Sequence, residues 1–271
     1  MTDTHVHLNI EPLLADARAH ADAAEAEGVH ALIVPGFDRD SSRHAIRIAE
    51  SDPRCHAIAG WHPGHCAQWN ADAARELRDS AAHPRVVAIG EIGLDYYRGD
   101  HDAAEQEACF RDQLAIAGET TLPIVLHCRP TEGTWDTLDR MLAILEETPH
   151  PHGVVWHCFQ GTLEHARRVV DSGAWLGFDG PVTYRRNLEL REIAATVPIE
   201  RILLETDAPY LSPEPWRGKF PNVPARLGAI AAAVAQARGM STIELALRTD
   251  ANARAAFPRL AAGNASASAA I

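Results

Sequence analysis

Short apolar runs alternate with amphipathic stretches along most of the chain. The runs are apolar on both faces, which is typical of buried parallel strands, and the stretches between them have helical periodicity. One such stretch, 102–119, includes Gly118 close to its end, where a helix stop is expected. With the segment 3–7, the predicted strands are 3–7, 29–36, 55–60, 85–90, 122–127, 153–157, 174–178 and 201–207.

Eight predicted strands, each followed by a helical stretch, match the repeating unit of a (β/α)8 TIM-like barrel. A doubly wound open sheet is the alternative, but no glycine-rich phosphate loop follows the first strand. Residues 222–257 are predicted to form closing helices. We therefore expect a single α/β barrel domain over 1–258 and a flexible C-terminal tail over 259–271.

Composition indicates where such a protein works. The chain has 271 residues and lacks a run of about 18 apolar residues, so we expect no membrane span. Its first residues do not have the basic-then-apolar order of a signal peptide, and the expected location is the cytoplasm. The five cysteines form no CxxC pair, which argues against a disulfide framework or a thiolate zinc site.

The charge balance limits the kinds of partner. Lys and Arg number 25 against 37 Asp and Glu, a net charge of −12, whereas broad nucleic-acid-coating surfaces are usually basic. A polyanion would have to be attracted by a local basic patch or by bound metal cations. The 15 histidines favour the second source, because histidine is the commonest metal-binding side chain.

Ionisable residues cluster at the predicted strand ends, where a barrel of this type carries its chemistry. Four histidines and two carboxylates at one rim exceed what a single tetrahedral site needs and suit two divalent ions. A further histidine, His62, follows the third strand, and Glu205 is expected to support a ligand from the same side as Asp207. The six candidate ligands are His5, His7, Glu91, His127, His157 and Asp207.

Histidine pairs alone are weak evidence in so histidine-rich a chain. His150 and His152 form a second HxH pair, yet they precede a strand and are expected as a solvated loop at the opposite rim. Each strand-end histidine could also be an ordinary structural residue. The convergence of all six candidate ligands on one rim is therefore the informative feature.

Six motifs in this order, DTHVH, GEIGLDYY, LPIVLHCR, WHCFQG, LLETDAPYLSP and RGK, resemble the TatD family of metal-dependent deoxyribonucleases. The resemblance extends from residue 3 to about residue 257. It implies a TIM-like amidohydrolase barrel with a two-metal site. It also implies hydrolysis of DNA phosphodiester bonds, often as a 3′-to-5′ exonuclease on single-stranded DNA.

The resemblance also implies a role for each matched residue. Histidines 5 and 7 match the first-metal ligands, Glu91 the bridging glutamate, and histidines 127 and 157 the second-metal ligands. Asp207 matches a metal-binding carboxylate that accepts a proton, so Glu91 and Asp207 are the expected catalytic residues. The expected substrate-binding residues are His62 and Arg129, near the phosphate, and Arg217 and Lys219, after the last strand.

The identity of the metal and the reaction stay open at this level. Four imidazoles favour zinc, manganese, iron or nickel, while the family resemblance adds magnesium. The same ligands would serve an amidohydrolase-superfamily enzyme acting on esters, amides or lactones, because fold does not decide chemistry. A non-catalytic metal-binding protein is the other alternative. The expected partner is DNA, through single-stranded ends, and nothing indicates an obligate protein partner.

Overall fold

The computed structural model describes residues 1–97 and 102–260. In these residues eight parallel strands pair in sequence order, from the first to the eighth. The predicted (β/α)8 barrel is confirmed. The strands are β1 Thr2–Asp3, β2 Ala31–Pro35, β3 Cys55–Ala59, β4 Val86–Asp95, β5 Ile124–Arg129, β6 Val154–Trp156, β7 Trp175–Phe178 and β8 Ile202–Leu204.

Helices follow the strands and cover the barrel. Short 3-10 turns at Leu14–Asp16, Pro63–Gln68, Gly180–Thr183, Ile199–Arg201 and Pro224–Arg226 join some of these elements. The α-helices described are α1 Ala17–Ala26, α2 Arg39–Ser51, α3 Ala71–Ala81, α4 Ala103–Gly118, α5 Asp136–Glu147, α6 Leu163–Asp171, α7 Leu188–Thr196, α8 Leu227–Arg238 and α9 Thr242–Ala256.

Local sequence explains where several helices begin. Asp38 precedes α2, and its carboxylate accepts a hydrogen bond from the Ser41 backbone N–H at 2.8 Å. The Ser41 hydroxyl in turn accepts one from the Asp38 N–H at 2.9 Å, which completes a capping box. Asp102 caps α4 and Ser241 caps α9 in the simpler one-way form. These polar residues satisfy N–H groups that the first helical turn leaves unpaired.

Two layers of apolar side chains arise from the strand alternation. One face of each strand packs against the helices, as Leu32, Val34 and Ala57 do. The other face fills the barrel interior, where Val125 and Leu203 are among the residues that are fully or almost fully buried. Barrel interiors of this kind are packed cores rather than pores, so functional groups must lie at the rim.

The barrel is closed by residues that follow its first and last strands. The Thr4 N–H donates to the Leu204 carbonyl at 3.0 Å, and the Asp207 N–H donates to the His5 carbonyl at 2.9 Å. The Val6 N–H turns the other way and donates to Ile33 of β2 at 3.0 Å. The first strand is thus shorter than predicted, but its extended continuation still bridges β2 and β8.

The C-terminal segment packs beneath the barrel before the described residues end. Arg259 donates hydrogen bonds to the carbonyls of Ala81, His83 and Val86, and Leu260 is buried. Residues 261–271 of the predicted tail lie outside the described residues, so the domain boundary stays a prediction. No helix in the described ranges is both long and apolar enough to cross a membrane.

Candidate active site

The C-terminal ends of the strands open onto a cleft of about 790 Å³. Five of the six candidate ligands line it directly: His7, Glu91, His127, His157 and Asp207. His5, the sixth, is fully buried next to them. The structure therefore brings the whole predicted set together at one rim, from five different strand regions.

One group of ligand atoms comes from the two ends of the barrel sequence. The nitrogen and oxygen atoms of His5, His7 and Asp207 lie within 4.8 Å of one another. His7 Nε2 is 3.4 Å from Asp207 Oδ1, and His5 Nε2 is 4.0 Å from the same oxygen. His5 and His7 follow β1 two residues apart, so their rings reach the same side of the extended chain.

A second group lies beside the first. The ligand atoms of Glu91, His127 and His157 are also within 4.8 Å of one another. His127 Nδ1 lies 2.6 Å and His157 Nε2 3.3 Å from Glu91 Oε1, while Glu91 Oε2 lies 3.5 Å from His5 Nε2. Glu91 thus contacts both groups, with one oxygen facing each. It is the geometry that a bridging carboxylate needs.

Glu91 lies inside β4 rather than after it, which differs from the sequence expectation. β4 continues to Asp95, and its pairing with β5 shifts register between Ile89 and Ile92. Register shifts of this kind re-aim a side chain next to active sites. The apolar run that predicted the strand ends at Gly90 because Glu91 interrupts it, although residues 92–95 still pair with β5.

The two central carboxylates are held in their charged form. Burial alone would raise the pKa of Glu91, but the charge of His157 and the close imidazole nitrogens of His127, His157 and His5 lower it well below the usual value. Burial also acts to raise the pKa of Asp207, and the hydrogen bond from His7 with the nearby histidine charges outweighs it. Both side chains are therefore ionised at neutral pH and can hold a cation.

Unpaired buried nitrogens show that the residues fit a metal centre. His5 Nδ1, His5 Nε2 and His7 Nδ1 are buried without a hydrogen-bond partner, and the His5 ring stacks on the His157 ring at 3.7 Å. Buried polar atoms are costly unless they are paired or bind an ion. Imidazole and carboxylate donors together are the ligands that divalent transition metals prefer. The His/Glu/Asp groups can therefore hold metal ions.

Two further carboxylates support the candidate ligands from behind. Glu205 is fully buried, and its Oε1 lies 3.2 Å from His157 Nδ1. Asp95 Oδ2 lies 3.2 Å from His127 Nε2. Sequence reasoning had singled out Glu205 but missed Asp95. The detectable feature of Asp95 was its position four residues beyond Glu91 on one strand, since alternate residues share a face.

His62 lies at the edge of the same cluster. Its Nε2 is 3.9 Å from Glu91 Oε1, and its ring centroid is 4.1 Å from that of His127. Its Nδ1 accepts a hydrogen bond from the Gly64 N–H at 2.9 Å, at the start of a 3-10 turn. Burial lowers the pKa of His62 to about 3, and the neighbouring His127 adds to this effect. His62 is thus neutral at neutral pH.

The predicted basic residues divide into two groups. Arg129 lines the cleft, with its guanidinium 3.9 Å from the centre of the Tyr97 ring. Arg217 lies over the Tyr184 ring at 4.2 Å, and Lys219 is exposed to solvent. Neither Arg217 nor Lys219 is among the described residues that line the cleft. Only Arg129 of the three basic candidates therefore sits beside the ligand cluster.

The second HxH pair lies far from this cleft. His150 and His152 border a different depression together with Gly153 and Trp175, which precede or begin β6 and β7. That position is the N-terminal end of the strands. The pair is therefore at the opposite rim, as its place in the sequence predicted.

Comparison with known proteins agrees with the fold and the motifs. Residues 2–258 match the family model described as TatD related DNase. The chain is 40% identical over 265 residues to the 3′-5′ ssDNA/RNA exonuclease TatD of Klebsiella pneumoniae, covering 95% of this chain and 97% of that protein. It is 36% identical over 255 residues to an uncharacterized metal-dependent hydrolase, YabD, of Bacillus subtilis, covering 94% and 98% respectively.

Solved structures give the same result. The crystal structure of YjjV, a TatD homologue from Escherichia coli, superposes with a TM-score of 0.89 at 30% identity, covering 95% of this chain and 98% of that one. An organophosphorus hydrolase of Deinococcus radiodurans has the same fold at 16% identity and a TM-score of 0.62, with coverages of 94% and 91%. The resemblance inferred from the six motifs is confirmed: the chain belongs to the TatD-related DNase family and has its TIM-like amidohydrolase fold.

Proposed function

We propose that the protein is a divalent-metal-dependent hydrolase that cleaves DNA phosphodiester bonds, as a 3′-to-5′ exonuclease on single-stranded DNA. The observation that carries the proposal is the position of Glu91, whose two oxygens face two separate groups of nitrogen and oxygen ligands. The names of the exonuclease relatives support the substrate class.

Two divalent ions would be held by the two groups, one by histidines 5 and 7 with Asp207, the other by histidines 127 and 157, with Glu91 shared. Magnesium, manganese, zinc, iron and nickel are the candidate ions. When bound, such ions lower the pKa of water and neutralise charge on the phosphate. The chain itself holds these ligands in a cleft that lies above the packed apolar interior of the barrel.

Asp207 is the proposed proton acceptor. It is ionised, and it borders the cleft beside His7, so a water at the phosphate would lie within its reach. The hydrogen bond from His7 orients the carboxylate. Replacing Asp207 would therefore remove both a ligand and the group that takes up the proton.

His62 and Arg129 are the proposed phosphate contacts. The Gly64 N–H donates to His62 Nδ1, so the neutral ring carries its proton on Nε2, the nitrogen nearer the cluster. That N–H can donate to a phosphate oxygen without adding a charge. Arg129 supplies a positive charge from the cleft wall, and Arg217 and Lys219 are proposed as more distant contacts with the rest of the strand.

Digestion of end-labelled oligonucleotides tests the proposal. We expect metal-loaded wild-type protein to shorten single-stranded DNA from its 3′ end, and Glu91→Ala and Asp207→Ala each to abolish turnover while keeping the far-ultraviolet spectrum of a folded barrel. Glu146→Ala serves as a matched control, because Glu146 is an exposed carboxylate on α5 paired with Arg168. It should retain wild-type turnover.

Other outcomes would overturn parts of the proposal. Turnover of the two variants at wild-type rates with saturating metal would remove these residues from the mechanism. Release of label from the 5′ end would reverse the proposed polarity. Hydrolysis of lactones, esters or amides with no cleavage of DNA would keep the metal centre but assign it to another substrate class.

A further inference from the structure

Asp95 is a buried carboxylate on the same strand as Glu91. Its Oδ2 lies 3.2 Å from His127 Nε2, while His127 Nδ1 lies 2.6 Å from Glu91 Oε1. One imidazole ring is therefore held between two carboxylates of β4, one at each nitrogen. The regular pairing of Asp95 with Arg129 across β4 and β5 keeps this end of the strand in register with His127.

Asp95 is itself held firmly in place. Its Oδ1 accepts a hydrogen bond from the Tyr97 N–H at 3.0 Å. The Gln106 side chain, on α4, bonds both the backbone N–H and the backbone carbonyl of Asp95 at 2.8 Å each. Since Oδ1 is engaged by Tyr97, Oδ2 is the oxygen available to His127. A fixed backbone thus aims one acceptor at one ring nitrogen.

A carboxylate can only accept hydrogen bonds, so it selects the tautomer of a neutral imidazole. Both ring nitrogens of His127 face a carboxylate, so without an ion either can donate a proton. When an ion is bound at the Glu91 side, Nδ1 must supply a lone pair, and the remaining ring proton is on Nε2, where Asp95 Oδ2 accepts it. From this geometry we infer that Asp95 is a positioning residue: it fixes the tautomer and orientation of His127 so that Nδ1 is the ligand nitrogen. The inference rests on the metal site of the proposed function.

His157, the other histidine that lies beside Glu91, has the same arrangement. Glu205 Oε1 faces His157 Nδ1 at 3.2 Å, and His157 Nε2 faces Glu91 at 3.3 Å. In contrast, Nδ1 of His5 and of His7 has no hydrogen-bond partner among the described residues. In the group of Glu91, His127 and His157, each histidine is therefore oriented by a carboxylate. Asp95 orients His127, and Glu205 orients His157.

The first test reads the tautomer in protein loaded with Zn²⁺, which is diamagnetic. Nitrogen NMR of labelled histidine should show His127 protonated at Nε2 and not at Nδ1, with the resonance assigned by its loss in His127→Gln. In Asp95→Asn the amide oxygen is retained by the Tyr97 N–H, so the NH2 group faces His127. Because that group donates, the proton of His127 should move to Nδ1.

The second test reads metal affinity. In calorimetric titrations with Zn²⁺ or Mn²⁺, we expect Asp95→Asn to lower the affinity for one of the two ions by about 10- to 100-fold. Other residues that orient metal-bound histidines have effects of this size. Asp95→Ala should weaken it less than Asp95→Asn, because it leaves His127 free to take either tautomer. Asp72→Asn is the control, an exposed aspartate paired with Arg75 on α3, and should bind like wild type.

The outcomes separate this inference from the proposed function. A purely structural role for Asp95 predicts the reverse order, with the larger truncation to alanine worse than asparagine, and would overturn the inference. So would an unchanged His127 tautomer and unchanged affinity in Asp95→Asn, with two ions still bound by the wild type. If wild-type protein binds no divalent ion, the proposed function fails first and the inference fails with it.

Discussion

Among the residues that the structure describes, two environments of buried ionisable side chains can be compared. Those at the C-terminal rim contact one another, as Glu91 does with His127 and Asp207 with His7. His56 is in the other environment: it lies on β3, and the strand alternation places it on the same face as Ile58, which fills the barrel interior. Burial lowers the pKa of His56 to about 4, and Arg85 adds to the effect.

His56 should make the fold sensitive to mild acid. An unfolded histidine has a pKa near 6.5, so between about 6.5 and 4 the unfolded state binds a proton that the folded state does not. The free energy of unfolding should therefore fall by up to about 1.4 kcal/mol per pH unit as the pH drops through this window. We expect His56→Met to lose that part of the slope in urea denaturation measured across the window.

The control for this measurement is His152→Met, because His152 is exposed. It should keep nearly the wild-type slope. A small difference is expected from His150, because burial and the neighbouring His152 both lower the pKa of His150 and the substitution removes the second effect. A His56→Met slope equal to that of wild type would contradict the assignment of a buried neutral His56.

Some elements position the candidate ligands, and others close the opposite end of the barrel. β4, β5, β6 and the segments after β1 and β8 bring the ligands to one rim, whereas the end of α9 closes the other. Phe257 follows α9 and is fully buried in the interior cluster with Ile33 and Leu203. Along the same helix, Ile243 and Leu247 are mostly exposed. Phe257, directly after α9, is therefore a core position, and Ile243 and Leu247 on the helix are exposed positions that serve as controls.

Phe257→Ala should destabilise the barrel by about 3–5 kcal/mol, since it removes a large ring from a closed core. Ile243→Ala and Leu247→Ala should each change stability by less than about 0.5 kcal/mol, because these side chains are in solvent. Chemical denaturation of the three variants against wild type measures the difference. Equal effects at the buried and exposed positions would show that α9 does not close the interior.

At the scale of the whole molecule, the charge of −12 restricts how a polyanion can bind. Arg129 is in the cleft, while Arg217 and Lys219 lie outside its lining. The same structure pairs many arginines with acidic neighbours, as Arg54 is with Asp22 and Glu25. Binding should therefore be local, with a short footprint at the cleft.

Short-footprint binding predicts a shallow salt dependence. On single strands each neutralised phosphate adds about −0.7 to the slope of log affinity against log salt, so three basic contacts give about −2. We expect this value for metal-loaded Asp207→Asn protein with single-stranded oligonucleotides. Adding Arg129→Gln should make the slope shallower by about 0.7, whereas Arg75→Gln on α3 should not change it.

A slope several times steeper, or affinity that survives metal removal unchanged, would place the substrate on an extended basic surface instead. That result would contradict binding at the strand-end cleft.

Much of the fold and of the ligand set could be read from the sequence. Apolar runs at barrel spacing and polar residues at strand ends are patterns among residues that are close together in the chain. Such patterns can be recognised without the folded structure. They predicted the eight strands, the rim on which His5, His7 and Asp207 meet, and the opposite placement of His150. The sequence motifs likewise carried the family assignment, because residues that bind a common ligand occur at fixed places relative to the strands.

Tertiary structure alone decided the rest. The register shift that places Glu91 within β4, the pairing of Asp95 with His127, and the exclusion of Arg217 and Lys219 from the cleft lining depend on how distant segments pack. A hydrogen bond between residues 32 positions apart leaves no periodic trace in the chain. The sequence by itself determined which residues could serve as ligands. The folded barrel decided which nitrogen of His127 and of His157 faces Glu91 and which carboxylate lies behind each ring.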